Sequence, residues 1–155
     1  MILLTKVTKT WPTKDGWRIA PAGVPWIKEG HRIKVGEGSR IGKTTTIGNW
    51  VEIGDRAIIG GLTMIGNEAH VGEGAIVGHW TMIGNEARVG EGAIIGNWAR
   101  VGDWARVGEG AIIGYGATIC KRANVAHGLI IGEGARIRAE ANDVSAETIV
   151  KNTKD

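Results

Sequence analysis

The side chains best suited to proton transfer or metal binding in this 155-residue chain are those of four histidines and one cysteine: His31, His70, His79, His127 and Cys120. Histidine is the usual general base near neutral pH and a common zinc ligand. A zinc site needs several such ligands that converge, whereas a single cysteine forms neither an internal disulfide nor a cysteine-based zinc site. The spacing of the histidines therefore decides what they can do together.

The composition excludes several classes of protein. The formal charge is +3, and 19 basic residues alternate with 16 acidic ones instead of forming a basic groove, so no nucleic-acid partner is expected. Apolar runs are too short to span a membrane, and the opening MILLTKVTKT has lysines inside its short apolar stretch, unlike a signal peptide. We therefore expect no membrane partner and, by default, a cytoplasmic location.

A repeat of six residues organises most of the chain. From Val35 to Asn142 it divides without a gap into 18 hexapeptides, beginning VGEGSR, IGKTTT and IGNWVE. The first position is Ile or Val in all 18 and the second is Gly in 15, a pattern incompatible with a helix because each internal Gly costs about 1 kcal/mol. VGEGAI recurs every 18 residues, at Val71, Val89 and Val107. Three hexapeptides per turn predict a triangular solenoid of about six coils, roughly 29 Å tall.

Alternation along each short strand assigns the positions to the inside and the outside. The fifth and first positions point inward, and the sixth and second point outward, so the Gly at position two should leave a flat, exposed backbone. Positions three and four form corners, where Gly, Asn or Asp supplies a positive φ. Four corners lack such a residue: Lys43–Thr44, His79–Trp80, Lys121–Arg122 and Ala139–Glu140.

The two ends differ from the repeat. Residues 1–34 contain all three prolines, and TWPTKDGWRIA predicts a strand, an Asp15–Gly16 turn and a second strand, a hairpin-like cap over the first coil. Residues 35–142 form the solenoid, and residues 143–155 form a C-terminal tail in which the six-residue register is lost.

The succession of an aliphatic residue, Gly, two corner residues, a small residue and a variable one resembles the hexapeptide-repeat family. This resemblance covers residues 35–142 and implies an all-β fold, the left-handed parallel β-helix. The hand of the helix comes from the resemblance alone. Members of that family are commonly acyltransferases or γ-class carbonic anhydrases, usually trimers with the active site between subunits, and others are purely structural.

Neither enzymatic reading is favoured by the histidines. His70 and His79 are nine residues apart and His79 and His127 are 48 apart, which is not the coil-related spacing of the carbonic anhydrase zinc ligands, so no metal site is predicted. Acyltransferases of the family need a His general base, for which His79 is the candidate, and usually a loop that walls the substrate. No loop interrupts the register between Val35 and Asn142, and no cofactor is predicted.

The outward columns, in which residues 18 apart stack, indicate an interaction surface. One column contains five isoleucines, which predict a protein interface: Ile58, Ile76, Ile94, Ile112 and Ile130. Four tryptophans lie at corners, where they pack in an interface or, alternatively, form a platform for an aromatic or sugar ligand: Trp50, Trp80, Trp98 and Trp104.

Two functions remain in competition. The sequence favours a non-catalytic structural or assembly solenoid that self-associates, as a trimer or a filament, through its isoleucine column. The alternative is a hexapeptide-repeat acyltransferase with its active site at a trimer interface and His79 as its base. The unbroken register favours the first, and the family resemblance favours the second.

Overall fold

Short strands recur every six residues in the computed structural model, which describes residues 1–139. The N-terminal segment contains β1 (Ile2–Leu3), α1 (Leu4–Thr8), β2 (Thr13–Lys14) and β3 (Trp17–Ile19). The repeat begins with β4 (Arg32–Val35) and continues through β5 (Arg40–Ile41), β6 (Thr46–Ile47), β7 (Val51–Ile53), β8 (Ile58–Ile59), β9 (Met64–Ile65), β10 (His70–Val71), β11 (Ile76–Val77), β12 (Met82–Ile83), β13 (Arg88–Val89), β14 (Ile94–Ile95), β15 (Arg100–Val101), β16 (Arg106–Val107), β17 (Ile112–Ile113), β18 (Thr118–Ile119), β19 (Asn124–Val125), β20 (Ile130–Ile131) and β21 (Arg136–Ile137). No helix within these residues is long and apolar enough to cross a membrane.

Three parallel sheets form the sides of the solenoid. The isoleucine face consists of β5, β8, β11, β14, β17 and β20, the methionine face of β6, β9, β12, β15, β18 and β21, and the histidine face of β4, β7, β10, β13, β16 and β19. Successive strands of a face are 18 residues apart, as in the pairing of Ile76 with Ile58 and Ile94. This is the left-handed parallel β-helix of about six coils that the sequence predicts, and the prediction is confirmed.

The interior follows the predicted alternation. Fifth-position Ala93 and first-position Ile95 are both buried, and the same positions are buried in the neighbouring coils. Thr45, Thr63 and Thr81 replace Ala at fifth positions, and their hydroxyls donate to the carbonyls of Gly60, Gly78 and Gly96, at 3.1, 2.9 and 3.2 Å. These bonds satisfy the buried hydroxyl groups of the three threonines.

The corners work differently from the prediction. Among the described corners, position four takes the positive φ everywhere except at Thr44, as in Trp80 (58°), Glu86 (55°) and Arg122 (61°). The corners at His79–Trp80 and Lys121–Arg122 therefore resemble the rest, although they lack Gly, Asn and Asp. The expectation that Asn and Asp supply the positive φ is wrong, because the sharp turn is held by contacts with adjacent coils.

Asn and Asp at position three form a ladder instead. The backbone N–H of Asn49 donates to Oδ1 of Asn67, that of Asn67 to Asn85, and that of Asn85 to Asp103, each at 2.8 Å. Each side chain thus accepts a hydrogen bond from the coil below. The ladder satisfies corner N–H groups that the parallel sheets leave unpaired.

The glycines at position two are required by the coil that stacks on them. A Cβ at Gly84 would lie 2.4 Å from the backbone nitrogen of Asp103, and one at Gly90 would lie 2.5 Å from that of Glu109. The prediction that these glycines expose a flat backbone is therefore wrong, since the next coil occupies the space. The three departures, Cys120, Ala126 and Arg138, all lie in the last four hexapeptides.

The N-terminal segment caps the first coil. β2 and β3 form the predicted antiparallel hairpin, with positive φ at Asp15 (51°) and Gly16 (79°), and β3 pairs with β4. β1 adds an antiparallel strand to β5, and the stacked, buried rings of Trp11 and Trp26 lie 5.3 Å apart. The cap covers strand edges that would otherwise be open. The predicted tail, residues 143–155, lies outside the described residues.

Candidate functional site

A histidine, a carboxylate and a lysine occupy consecutive strands of the histidine face. The register pairs Lys34 with Glu52 and Glu52 with His70. Lys34 Nζ lies 3.0 Å from Oε1 of Glu52, and Nδ1 of His70 lies 3.1 Å from Oε2. Each carboxylate oxygen therefore has its own partner, and the side chain of Glu52 is held between the two.

This contact sets the protonation of the imidazole. A carboxylate accepts a hydrogen bond, so Nδ1 of His70 carries a proton and donates it, which leaves Nε2 of the neutral ring free to accept one. Partial burial raises the pKa of Glu52, but the hydrogen bond and charge of Lys34 and the contact with His70 outweigh it and lower that pKa below 4.5. Glu52 is thus ionised at neutral pH, and the pair has the arrangement of a general base and its orienting carboxylate.

The other histidines have different surroundings. Nδ1 of His79 accepts the backbone N–H of Gly61 at 2.9 Å, and Nδ1 of His127 accepts that of Glu109 at 3.2 Å. Both are members of the corner ladders, and in their neutral rings the proton lies on Nε2. Nδ1 of His31 is buried at the methionine face and has no hydrogen-bond partner among the described residues.

The histidines do not converge on a metal site. Within residues 1–139, no group of three His, Cys, Asp or Glu side chains is placed to hold a metal ion. The structure brings His70 together with Glu52, and it places His79 and His127 on separate corners. Sequence reasoning missed this pair, although a signal was present: residues 52 and 70 are 18 apart and so occupy adjacent places in one column.

The N-terminal hairpin walls one side of the pair. A cavity of about 420 Å³ lies between hairpin residues Thr13, Gly16 and Arg18 and the strands that carry Glu52 and His70. On the other side of His70, a groove of about 490 Å³ continues along the face past Arg88 and Arg106 to His127. The repeat has no loop that could wall the site, and the N-terminal hairpin forms such a wall instead.

Aromatic and cationic side chains hold the hairpin on the solenoid. The ring of Trp17 meets that of Trp50 edge to face at 5.0 Å, and Lys34 Nζ lies 4.4 Å above the Trp17 ring. The guanidinium of Arg32 lies 4.4 Å from the Trp50 ring. Trp50 is thus a packing residue beneath the hairpin, and Lys34 joins the hairpin to Glu52.

A larger groove, of about 1040 Å³, runs along the methionine face. The cap segment at Trp26 closes one end, Met64 and Met82 line the middle, and Arg100 and Arg136 line the far end. Lys28 and His31 also line the cap end, and Asp103 and Lys121 line the groove beyond the methionines, so an apolar middle lies between charged ends. Such a groove suits an elongated ligand with an apolar part and an anionic part.

The outward isoleucines are exposed along their whole column. Their exposed fractions run from 36% at Ile58 to 55% at Ile130. At the corner between the isoleucine and methionine faces, the exposed rings of Trp80 and Trp98 stack at 4.9 Å with an interplanar angle of 4°. Trp104 is exposed on another corner. The apolar surface thus extends from the isoleucine column around one corner.

A protein-family model matches two segments of the chain. The family model for the bacterial transferase hexapeptide (six repeats) matches residues 32–67 and 86–121. The two matched segments cover less than half of the chain, and they agree with the six-coil solenoid and with the hexapeptide-repeat resemblance of the sequence. No curated protein sequence gives a match.

Solved structures of similar fold include an acetyltransferase. A mutant of perosamine N-acetyltransferase from Caulobacter crescentus, in complex with CoA and GDP-perosamine, has a TM-score of 0.54 at 19% identity, over 78% of this chain and 47% of that one. WeeI from Acinetobacter baumannii AYE has a TM-score of 0.50 at 22% identity, over 68% of this chain and 52% of that one. The chain spans about half the length of both.

These comparisons contradict the prediction of a non-catalytic assembly protein. The matching family model is one of bacterial transferases, and the similar structure with the higher TM-score of the two is an acetyltransferase, which favours the alternative reading. The prediction gave too much weight to the absence of a loop within the repeat. The N-terminal hairpin stands beside His70 and provides the wall that was taken to be missing.

Proposed function

We propose that the chain is an acyltransferase in which His70, oriented by Glu52, is the general base. The observation that carries the proposal is the 3.1 Å contact between Nδ1 of His70 and Oε2 of Glu52 in a walled recess. The family match and the acetyltransferase of similar fold support the reaction class.

The chemistry follows from the free nitrogen of His70. Nε2 removes the proton of an acceptor amine or hydroxyl as that group attacks the carbonyl carbon of an acyl thioester. The new C–N or C–O bond forms, the C–S bond breaks, and the proton passes from Nε2 to the departing thiolate. Glu52 stabilises the imidazolium that exists between the two proton transfers.

The active site is completed at a trimer interface in this proposal. His70 is exposed in the single subunit, and a threefold arrangement brings unlike faces of neighbouring subunits together. The isoleucine face supplies the driving force, because each buried isoleucine contributes about 1.5–3 kcal/mol. The methionine-face groove of a neighbour then provides a place for the elongated acyl donor, with its anionic part toward Arg100 and Arg136.

His70 is a better base than His79 in this arrangement. The exposed nitrogen of neutral His79 carries a proton, because Nδ1 already accepts the Gly61 N–H. Such a ring donates a hydrogen bond and does not accept a proton. At the equivalent corner of the next coil, Asn97 accepts the N–H of His79 itself at 2.8 Å, so an asparagine can replace His79 within the ladder.

The test measures thiol release from acetyl-coenzyme A with a panel of amine and hydroxyl acceptors. We expect His70→Gln to lower turnover by about 100-fold or more, the usual contribution of a general base, with assembly unchanged. His79→Asn is the matched control and should retain turnover. The proposal is wrong if no acceptor gives thiol release above hydrolysis, or if His79→Asn abolishes turnover while His70→Gln does not.

A further inference from the structure

Two arginines lie side by side in the groove next to His70. Arg88 and Arg106 are direct partners on the adjacent parallel strands β13 and β16, and both are exposed. Adjacent strands are about 4.8 Å apart, so the two side chains leave the sheet close together. Like charges placed directly opposite one another destabilise a sheet. A compensating anion, from the protein or from a ligand, is therefore expected beside the two arginines.

Among residues 1–139, no carboxylate lies within ion-pair distance of either arginine. Within residues 1–139, the close contacts between basic and acidic side chains join Glu52 to Lys34 and His70, Arg56 to Glu73, and His127 to Glu109. Neither Arg88 nor Arg106 belongs to any of them. In this outward column of the histidine face, Glu52 contacts both Lys34 and His70. The next two residues of the column, Arg88 and Arg106, are both cationic.

The nearest acidic corner does not behave as their partner. Glu68 and Glu86 line a small recess with both arginines but make no ion pair with them in the described chain. Desolvation and the charges of Glu68 and Asp103 raise the pKa of Glu86, the direction expected for a carboxylate that lacks a cation at contact distance. The two guanidinium groups remain open to the groove.

From this arrangement we infer that Arg88 and Arg106 bind a phosphate or diphosphate group of the substrate. Guanidinium groups bind phosphate oxygens through paired, charge-assisted hydrogen bonds, and a phosphate between them removes their repulsion. The bound phosphate would lie about 7 Å along the column from His70, one and a half strand spacings. A substrate held there by its phosphate can present a nucleophile or a thioester to Nε2.

The inference deepens the proposed function by naming the substrate class, but binding can be measured without turnover. Calorimetry with inorganic pyrophosphate on the full chain should show saturable binding that weakens at least tenfold in Arg88→Gln and in Arg106→Gln. Arg40→Gln, at the same outward strand position on the isoleucine face, is the matched control and should bind as the unaltered chain does. Circular dichroism checks that each variant is folded.

Turnover then identifies the molecule that carries the phosphate. If the acceptor carries it, phosphorylated acceptors should lose at least tenfold in kcat/KM in the two variants, and neutral acceptors should not. If the acyl donor carries it, acetyl-coenzyme A should lose activity and acetyl-pantetheine, which has no diphosphate, should not. Arginine-dependent pyrophosphate binding without any turnover would refute the proposed function and leave this inference standing. Absent binding, or binding that Arg40→Gln weakens equally, would overturn the inference.

Discussion

Two chemically identical substitutions, Gly84→Ala and Gly74→Ala, should have very different effects. A Cβ at Gly84 would lie 2.4 Å from the nitrogen of Asp103 and 2.6 Å from the carbonyl carbon of Gly102, both backbone atoms. At Gly74 nothing lies within 4 Å, but φ is +62°. The first site tests coil stacking, and the second tests backbone conformation alone.

The magnitudes follow from these surroundings. At Gly74 the left-handed conformation costs Ala about 1–2 kcal/mol, and the stiffer unfolded chain returns about 0.4–1 kcal/mol, for a net loss near 1 kcal/mol. Trp80 adopts the same conformation, with φ of 58°. At Gly84 the added Cβ forces the next coil to move. The movement is opposed by the hydrogen bond from the N–H of Gly84 to the carbonyl oxygen of Val101, at 2.7 Å. We expect a loss of about 3 kcal/mol or more, at the upper end of overpacking costs.

Thermal and urea unfolding, followed by circular dichroism, measure the difference. For a chain of this size, about 1 kcal/mol corresponds to 2–4 °C, so Gly74→Ala should lower Tm by a few degrees and Gly84→Ala by roughly 6–12 °C. Gly92→Ala is a second corner control, since it too has φ of +62° and open space. Equal losses at the two sites, or a larger loss at Gly74, would refute the account of coil stacking.

Three further outcomes are expected. Ala93→Leu should destabilise by about 1–3 kcal/mol or more in thermal melts, because position five faces the narrow interior, whereas corner Glu91→Ala should be nearly silent. Sedimentation should show an oligomer for the unaltered chain and a folded monomer for the triple lysine variant at Ile76, Ile94 and Ile112; a monomeric unaltered chain at micromolar concentration would contradict the proposed trimer. The lowered pKa of Glu52 means that its contribution to stability is present above 4.5 and is lost as the pH falls through the folded pKa. In Lys34→Met, carbon-detected NMR should find the Glu52 pKa raised from its value in the unaltered chain, and an unchanged value would show that Lys34 does not hold the carboxylate.

The candidate site was only partly within reach of sequence reasoning. Column arithmetic places Glu52 and His70 on adjacent strands, and a carboxylate and an imidazole one strand spacing apart are expected to contact each other. The same arithmetic assigns Arg88 and Arg106 to the next two strands. Nothing in a periodic pattern, however, distinguishes a solvated column from one with a wall beside it.

The sequence by itself determined the solenoid. Every sixth residue returns to the same position, and every eighteenth returns to the same column. The inward Ala and Ile and the exposed isoleucines follow from alternation along each strand. The number of coils follows from the number of hexapeptides. Only the tertiary structure decided the rest. The hairpin carries no period, and its place beside His70 depends on contacts of Trp17 with Trp50 and Lys34. The role of Asn85 as a ladder acceptor and the need for Gly at position 84 likewise arise from the distance between stacked coils, which no single hexapeptide encodes.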